Sequence, residues 1–181
     1  RVPSTVEHET TTMDSTKPTE SLEPAVGAPA PTFTLAATGG QTLALADLKG
    51  QRVVLYFYPK ANTPGCTREG QDFSALAERF AALNTRILGI SRDGVQAQEN
   101  FKAKQSFAFD LLADPEQQVC KAYGVLKEKR MYGKTGIGVE RSTFLIDEHG
   151  VLRQAWRKVT VDGHAEAVLA AVEALDQTPA A

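Results

Sequence analysis

The sequence predicts an α/β sandwich, and three observations lead to it. Short apolar runs of strand length, at 53–58, 86–91, 109–113 and 142–146, alternate with stretches of helical periodicity. The last third closes with a hairpin followed by a helix. Between them, Val53 to Tyr58 is six consecutive apolar residues rich in β-branched and aromatic side chains, too short for a helix. Such a run reads as a central strand buried on both faces, and the rest of the chain is organised around it.

Residues 1 to 24 are mostly Thr, Ser, Glu and Pro with almost no large apolar side chain. This composition cannot bury enough surface to offset chain entropy, so a disordered polar tail without function is expected there. The tail lacks the apolar core of a signal peptide. The chain starts with Arg, and Met13 opens a more natural beginning, so the first dozen residues read as a tag remnant or upstream sequence. The folded domain is expected over 25–178. A hydrophobic fraction of 42%, slightly below the usual range, fits one domain plus such a tail.

Within the domain, Thr32 to Leu35 and Thr42 to Leu45 alternate in period two around Gly39-Gly40, which predicts a hairpin. Asp47 to Gly50 turns into the central strand, and Pro59 stops that strand. Asn62-Thr63-Pro64-Gly65 is a turn with Pro64 placed to open a helix. The apolar face of that helix runs through Phe73, Leu76, Ala77, Phe80 and Leu83. Arg86 to Ser91 is a strand, Val95 to Gln105 a modest helix, and Phe109 to Ala113 a further strand. Asp114-Pro115-Glu116-Gln117 is patterned as a helix start, with Asp as N-cap, and Gly124 ends that helix. Lys127 to Gly138 reads as a polar, basic loop. Ser142 to Ile146 and Val151 to Trp156 form a hairpin, and a final helix carries Val168, Leu169, Val172 and Leu175 on one face. No internal repeat is evident.

Net charge and motif content narrow the function classes. A charge of −2 gives no basic surface for nucleic acid or an anionic membrane. Two cysteines 54 positions apart make neither a disulfide framework nor a metal-ligand pair, and His8, His149 and His164 are scattered. No metal and no cofactor is expected. A reducing, cytoplasmic setting is the default.

Cys66 is the residue that stands out. A lone intracellular Cys is usually an inert, buried small hydrophobe. Here a strand–turn–helix order puts it in the first turn of a helix, where unpaired backbone N–H groups and the positive dipole end favour a thiolate. Thr63 brings a hydroxyl three residues earlier, and Arg68 a charge two residues later.

The segment YFYPKANTPGCTREG resembles the active-site segment of peroxiredoxins, in particular the bacterioferritin comigratory protein, or PrxQ, subfamily (BCP/PrxQ). Pro59, Thr63 and Cys66 match its Pro-x-x-x-Thr-x-x-Cys pattern. The similarity continues through RILGISRD (86–93), LLADPEQQVCKAYGV (111–125) and ERSTFLIDEHG (140–150), and spans roughly residues 25 to 176.

The resemblance implies a thioredoxin fold of peroxiredoxin type, with a central mixed sheet flanked by helices and an N-terminal β-hairpin. It implies an antioxidant peroxidase that reduces hydrogen peroxide and organic hydroperoxides. Cys66 would be the redox-active peroxidatic nucleophile, Arg141 the guanidinium facing its sulfur, and Thr63 a hydrogen-bonding partner of sulfur or peroxide. Pro59 would shelter the site from water, and Glu69 would orient the arginine.

The chain departs from many relatives in how the oxidised sulfur is resolved. Gln71 stands where many carry a resolving cysteine, and Val95 to Gln105, where others carry it, has none. Cys120 is the only candidate left, and its neighbours Val119 and Tyr123 suggest a packed, structural thiol. The reading is therefore a one-Cys peroxiredoxin reduced by thioredoxin, glutaredoxin or a low-molecular-weight thiol, and acting as a monomer or weak dimer. An atypical two-Cys enzyme with Cys120 resolving is the alternative, and a non-catalytic thioredoxin-fold binding or holdase module is the alternative from another class. A disulfide reductase would want C-x-x-C, but position 63 is Thr. A Cys–His hydrolase would need a partner histidine, whereas His149 falls in a turn and His164 at a helix start.

Overall fold

The computed structural model describes residues 23–177; the expectation of a disordered tail falls almost wholly outside them. A seven-stranded mixed sheet forms the centre, in the order β2-β1-β5-β4-β3-β8-β9. β1 (Thr34–Ala37) and β2 (Gln41–Ala44) are the N-terminal hairpin. β3 (Arg52–Phe57) is the inner strand, parallel to β4 (Thr85–Ser91) and antiparallel to β8 (Ser142–Ile146). β5 (Asp110–Ala113) runs parallel to β4, and β9 (Leu152–Trp156) closes the far edge beside β8. The mixed sheet flanked by helices, with its N-terminal hairpin, is the architecture that the resemblance implies.

The apolar run at 53–58 is continuous because both of its faces are covered. Val53, Leu55 and Phe57 point into one core with Phe144, Ile146, Val119 and Tyr123. Val54, Tyr56 and Tyr58 point into the other, with Phe73, Phe80, Phe101 and Val168. Period-two alternation thus assigns each side chain of β3 to a face. The second face is covered by α1 (Pro64–Ala75), α2 (Ala77–Ala82), α3 (Val95–Gln105) and α5 (His164–Asp176). α4 (Gln118–Ala122) covers the first.

Four local readings differ from the sequence. The helix over 64–83 is two helices, because Leu76 leaves helical geometry with φ −100° and ψ 3°. The helix expected from Asp114 begins later, at Gln118, because Gln117 turns left-handed at φ 63°. The Asp114 carboxylate nevertheless accepts the Cys120 backbone N–H at 2.8 Å, so it still serves the helix start. Lys127 to Gly138 is not a loop: β6 (Leu126–Met131) and β7 (Lys134–Val139) form a separate two-stranded hairpin. Finally Glu23, which composition places in the tail, ion-pairs with Lys127 (3.2 Å) and Arg157 (3.5 Å) of the folded domain. Among the described residues no helix is long and apolar enough to cross a membrane.

Candidate active site

β3 delivers the chain to the site. Its register pairs Phe57 with Ser142, so the residue before β8, Arg141, arrives beside the C-terminal end of β3, where the chain turns into α1. The backbone around Arg141 is pinned on two sides: Val159 N–H donates to its carbonyl at 2.9 Å, and Glu140 N–H donates to Val125 at 2.8 Å.

α1 starts as its sequence suggests. Thr63 is extended at the N-cap (φ −92°, ψ 154°), Pro64 occupies the first turn, and Thr67 N–H reaches back to the Thr63 carbonyl at 2.9 Å. Cys66 therefore lies in the first turn, and it is 1% exposed. The Arg141 guanidinium reaches it from the neighbouring strand. Its Nη2 is 3.4 Å from Cys66 Sγ while its Nη1 donates to Glu69 Oε1 at 2.7 Å. One planar fork thus joins the sulfur to a carboxylate three residues further along the same helix, a geometry that lysine cannot reproduce.

Gly65 makes room for this fork. A Cβ at that position would sit 3.1 Å from Arg141 Nη2, tighter than ordinary side-chain contacts. Glu69 is 1% exposed, and its second oxygen has no hydrogen-bond partner among the described residues. Burial pushes its carboxyl up to about 7, with Arg141 pulling the other way. For Arg141, burial alone would weaken the charge, but Glu69 and Cys66 outweigh it and hold the guanidinium firmly protonated.

Of the residues singled out from sequence, Cys66, Arg141 and Glu69 are in direct contact. Thr63 stands at the mouth of the helix, its hydroxyl donating to the Lys60 carbonyl at 2.7 Å. Pro59 is half-buried and borders an open cleft of about 360 Å³ with Lys60, Arg92, Asp93, Pro115 and Gln117. Cys120 is elsewhere. It is fully buried in the core on the opposite face of the sheet from Cys66. Burial, reinforced by the Asp114 carboxylate, raises its thiol pKa and keeps it protonated.

Two features around the site have no counterpart in the sequence reading. His164, at the start of α5, places Nε2 2.7 Å from Thr143 Oγ1, two residues after Arg141. Burial, with Arg141 adding repulsion, lowers its pKa to about 4, so the ring is neutral near pH 7. Behind the site, Tyr58 donates to Gln98 Oε1 at 2.5 Å, and Gln98 Nε2 donates to Ser91 Oγ at 3.0 Å. Spacing in the sequence signals neither, since both join elements far apart in the chain.

The comparisons with known proteins agree on one group. Residues 26–155 match the AhpC/TSA family. "Peroxiredoxin Bcp" of Xanthomonas campestris is 53% identical over 148 residues, covering 81% of this chain and 92% of that one. The protein of the same name from Bacillus subtilis is 46% identical over 139 residues, covering 77% and 88%. Among solved structures, Xanthomonas campestris peroxiredoxin Q superposes with a TM-score of 0.80 at 50% identity, covering 84% of this chain and 98% of that one. Another structure from that organism addresses the alkyl peroxide reduction activity of its bacterioferritin comigratory protein, with a TM-score of 0.80 at 48% identity, covering 86% and 100%.

Proposed function

The chain belongs to the AhpC/TSA family as a thioredoxin-fold peroxiredoxin of the Bcp/PrxQ kind, and on that premise we propose that Cys66 is its peroxidatic nucleophile in a one-Cys cycle. A peroxiredoxin acts on a peroxide and is restored by a thiol. The observation that carries the assignment is the Arg141 guanidinium, 3.4 Å from Cys66 Sγ and held there by Glu69.

In the first step the Cys66 thiolate attacks one peroxide oxygen. The O–O bond breaks, and the other oxygen leaves as hydroxide or alkoxide and takes up a proton. The sulfur is oxidised to sulfenic acid. Arg141 pairs with the thiolate before attack and with the charge that moves onto oxygen during it, which is where a preorganised cation lowers the barrier most. The Thr63 hydroxyl already donates its hydrogen bond to the Lys60 carbonyl, so towards a peroxide it acts as an acceptor and orients the O–H. Pro59, half-buried just after β3, shelters the site from water. In the second step an external thiol displaces water from the sulfenic acid, leaving a mixed disulfide. A second thiol then releases Cys66 and departs as the reductant's disulfide.

The one-Cys reading is supported by the position of Cys120. A disulfide needs Cα atoms within about 7 Å, and the central sheet stands between the two cysteines. Structures of serine variants at two different cysteines exist for the Xanthomonas relative; the helix α3 of this chain carries no cysteine. The reductant is thioredoxin, glutaredoxin or a low-molecular-weight thiol, the working form a monomer or weak dimer, and the setting the cytoplasm.

Peroxide consumption by the reduced protein tests the reading. Cys66→Ser should abolish turnover while leaving the circular dichroism spectrum and Tm unchanged. Turnover in that variant above a small residual fraction would remove Cys66 from the role, whereas a reduced parent protein that consumes no peroxide would leave the holdase module in its place.

A further inference from the structure

We infer that Asp93 is a positioning residue for the loop that carries Pro59 and Thr63 and leads into the Cys66 helix; this rests on the peroxidase reading above. Asp93 Oδ2 accepts the Ala61 backbone N–H at 2.8 Å, across a gap of 32 residues in sequence. Ala61 is the buried middle of a loop whose neighbours Lys60 and Asn62 are exposed. Asn62 is left-handed at φ 64°, a conformation that costs energy for any residue with a side chain. A loop with such a residue at its centre holds its shape when something outside it holds it, and the Asp93 carboxylate is in place to do so.

The carboxylate is itself fixed by a hydrogen-bond chain with only one consistent direction. Leu112 offers a carbonyl, which can only accept, so the group facing it at 2.7 Å is the Gln98 amide nitrogen. Gln98 Oε1 then faces Tyr58, whose hydroxyl donates at 2.5 Å. Ser91 Oγ receives two donors, Gln98 Nε2 at 3.0 Å and Asp93 N at 3.2 Å. Its own proton therefore goes to Asp93 Oδ2, 2.6 Å away. Ser91 and Gln98 are both fully buried. The chain runs from Tyr58, at the end of β3, through α3 and β4, and returns to the loop that follows β3. It fastens the two ends of the segment Tyr58–Ala61 to the same anchor.

The role of Asp93 is thus to present an acceptor oxygen at one place, and its charge is not required. Asparagine keeps that oxygen, and alanine loses it. The experiment measures two second-order rates for Cys66 in a Cys120→Ser background: oxidation by hydrogen peroxide and alkylation by iodoacetamide. Peroxide attack depends on alignment of Cys66 with Thr63 and Arg141, whereas alkylation needs only an accessible thiolate. Asp93→Ala should slow peroxide oxidation at least about tenfold and change alkylation less than about threefold, while Asp93→Asn stays within about threefold of the parent for both. Should Asp93→Ala fail to fold, Ser91→Ala, which frees the carboxylate from its hydroxyl donor, should still slow peroxide oxidation severalfold with alkylation unchanged. Peroxide rates at the parent level in Asp93→Ala, or an equal loss of both rates without rescue by asparagine, would overturn the assignment. A parent protein that does not consume peroxide at all would instead remove the peroxidase reading, which separates the two failures.

Discussion

The hydroxyl of Thr63 donates to the carbonyl of Lys60 at 2.7 Å, within the turn that precedes the Cys66 helix. This fixes the polarity of Thr63: with its proton committed, only lone pairs face outward. Thr63→Val should lower the rate of peroxide oxidation about tenfold or more, the cost of one hydrogen bond in the transition state. Thr63→Ser, which keeps the oxygen, should recover most of it. Equal rates in Thr63→Val and the parent, measured by stopped-flow oxidation of Cys66, would show that the hydroxyl serves the turn alone.

Arg141 spans Glu69 and Cys66 with two nitrogens of one plane. Arg141→Lys retains a charge but can reach only one of the two partners. A loss of about a hundredfold or more in the peroxide rate is expected. A lysine variant within about threefold of the parent would mean that charge alone, without the fork, is sufficient.

Cys120→Ser should keep most of its activity with an external thiol, since Cys120 is buried on the far face of the sheet. After one equivalent of peroxide without reductant, the protein should react with dimedone at Cys66. A mass two units below the reduced protein, no dimedone adduct and slow turnover in Cys120→Ser would together make Cys120 the resolving thiol.

Two buried groups near the site act on acid stability with opposite signs. His164 is held well below its ordinary range, to about 4, so its neutral form favours the fold; that stability is present above about pH 6.5 and is lost as pH falls towards 4. After discounting for solvent reaching the ring, the loss amounts to about 2 kcal/mol. Glu69 is raised to about 7, so it makes the fold less stable as pH rises from about 4.5 through 7. His164→Gln should therefore flatten the fall in denaturant-derived stability between pH 6.5 and 4. Glu69→Gln should steepen it. Parallel curves for parent and variants would contradict both assignments.

A chain beginning at Glu23 should match the full chain in Tm and peroxide rate. Beginning at Pro24 removes the pairs with Lys127 and Arg157. These are partly exposed, so the expected loss is small, about 1–3 °C in Tm with activity unchanged. A larger fall would mean that Glu23 does more than close two surface ion pairs.

The parts of the fold that were legible in the sequence are those with a strong local pattern. The run 53–58 could only be an inner strand, and Thr63-Pro64-Gly65 before Cys66 announced a helix start. β6 and β7 were missed because neither face of that hairpin is covered along most of its length. Tyr132 is fully exposed and Ile137 largely so, so the segment shows no hydrophobic alternation and reads as a loop. The break at Leu76 was missed for the opposite reason: the apolar face continues through it, and only the backbone changes. The contact of Arg141 with Cys66 and Glu69 was legible through the motif resemblance, whereas the bond of Thr63 to the Lys60 carbonyl was not. Asp93 and His164 were not, because their partners, Ala61 and Thr143, are set by sheet order rather than by spacing.

The pairing of β8 with β3 also sets a clock on synthesis. Arg141 follows Cys66 by 75 residues, an interval of about 4–15 s at ordinary rates of translation. During that interval the thiol has emerged without the guanidinium that contacts it in the folded protein. Chains stalled before Arg141 should react with peroxide no faster than a free cysteine, and fast oxidation there would refute the dependence. With Cys66 and Arg141 acting as proposed, the protein gains its sensitivity to peroxide only once β8 has paired with β3, so a half-made molecule is spared the oxidation that a finished one undergoes.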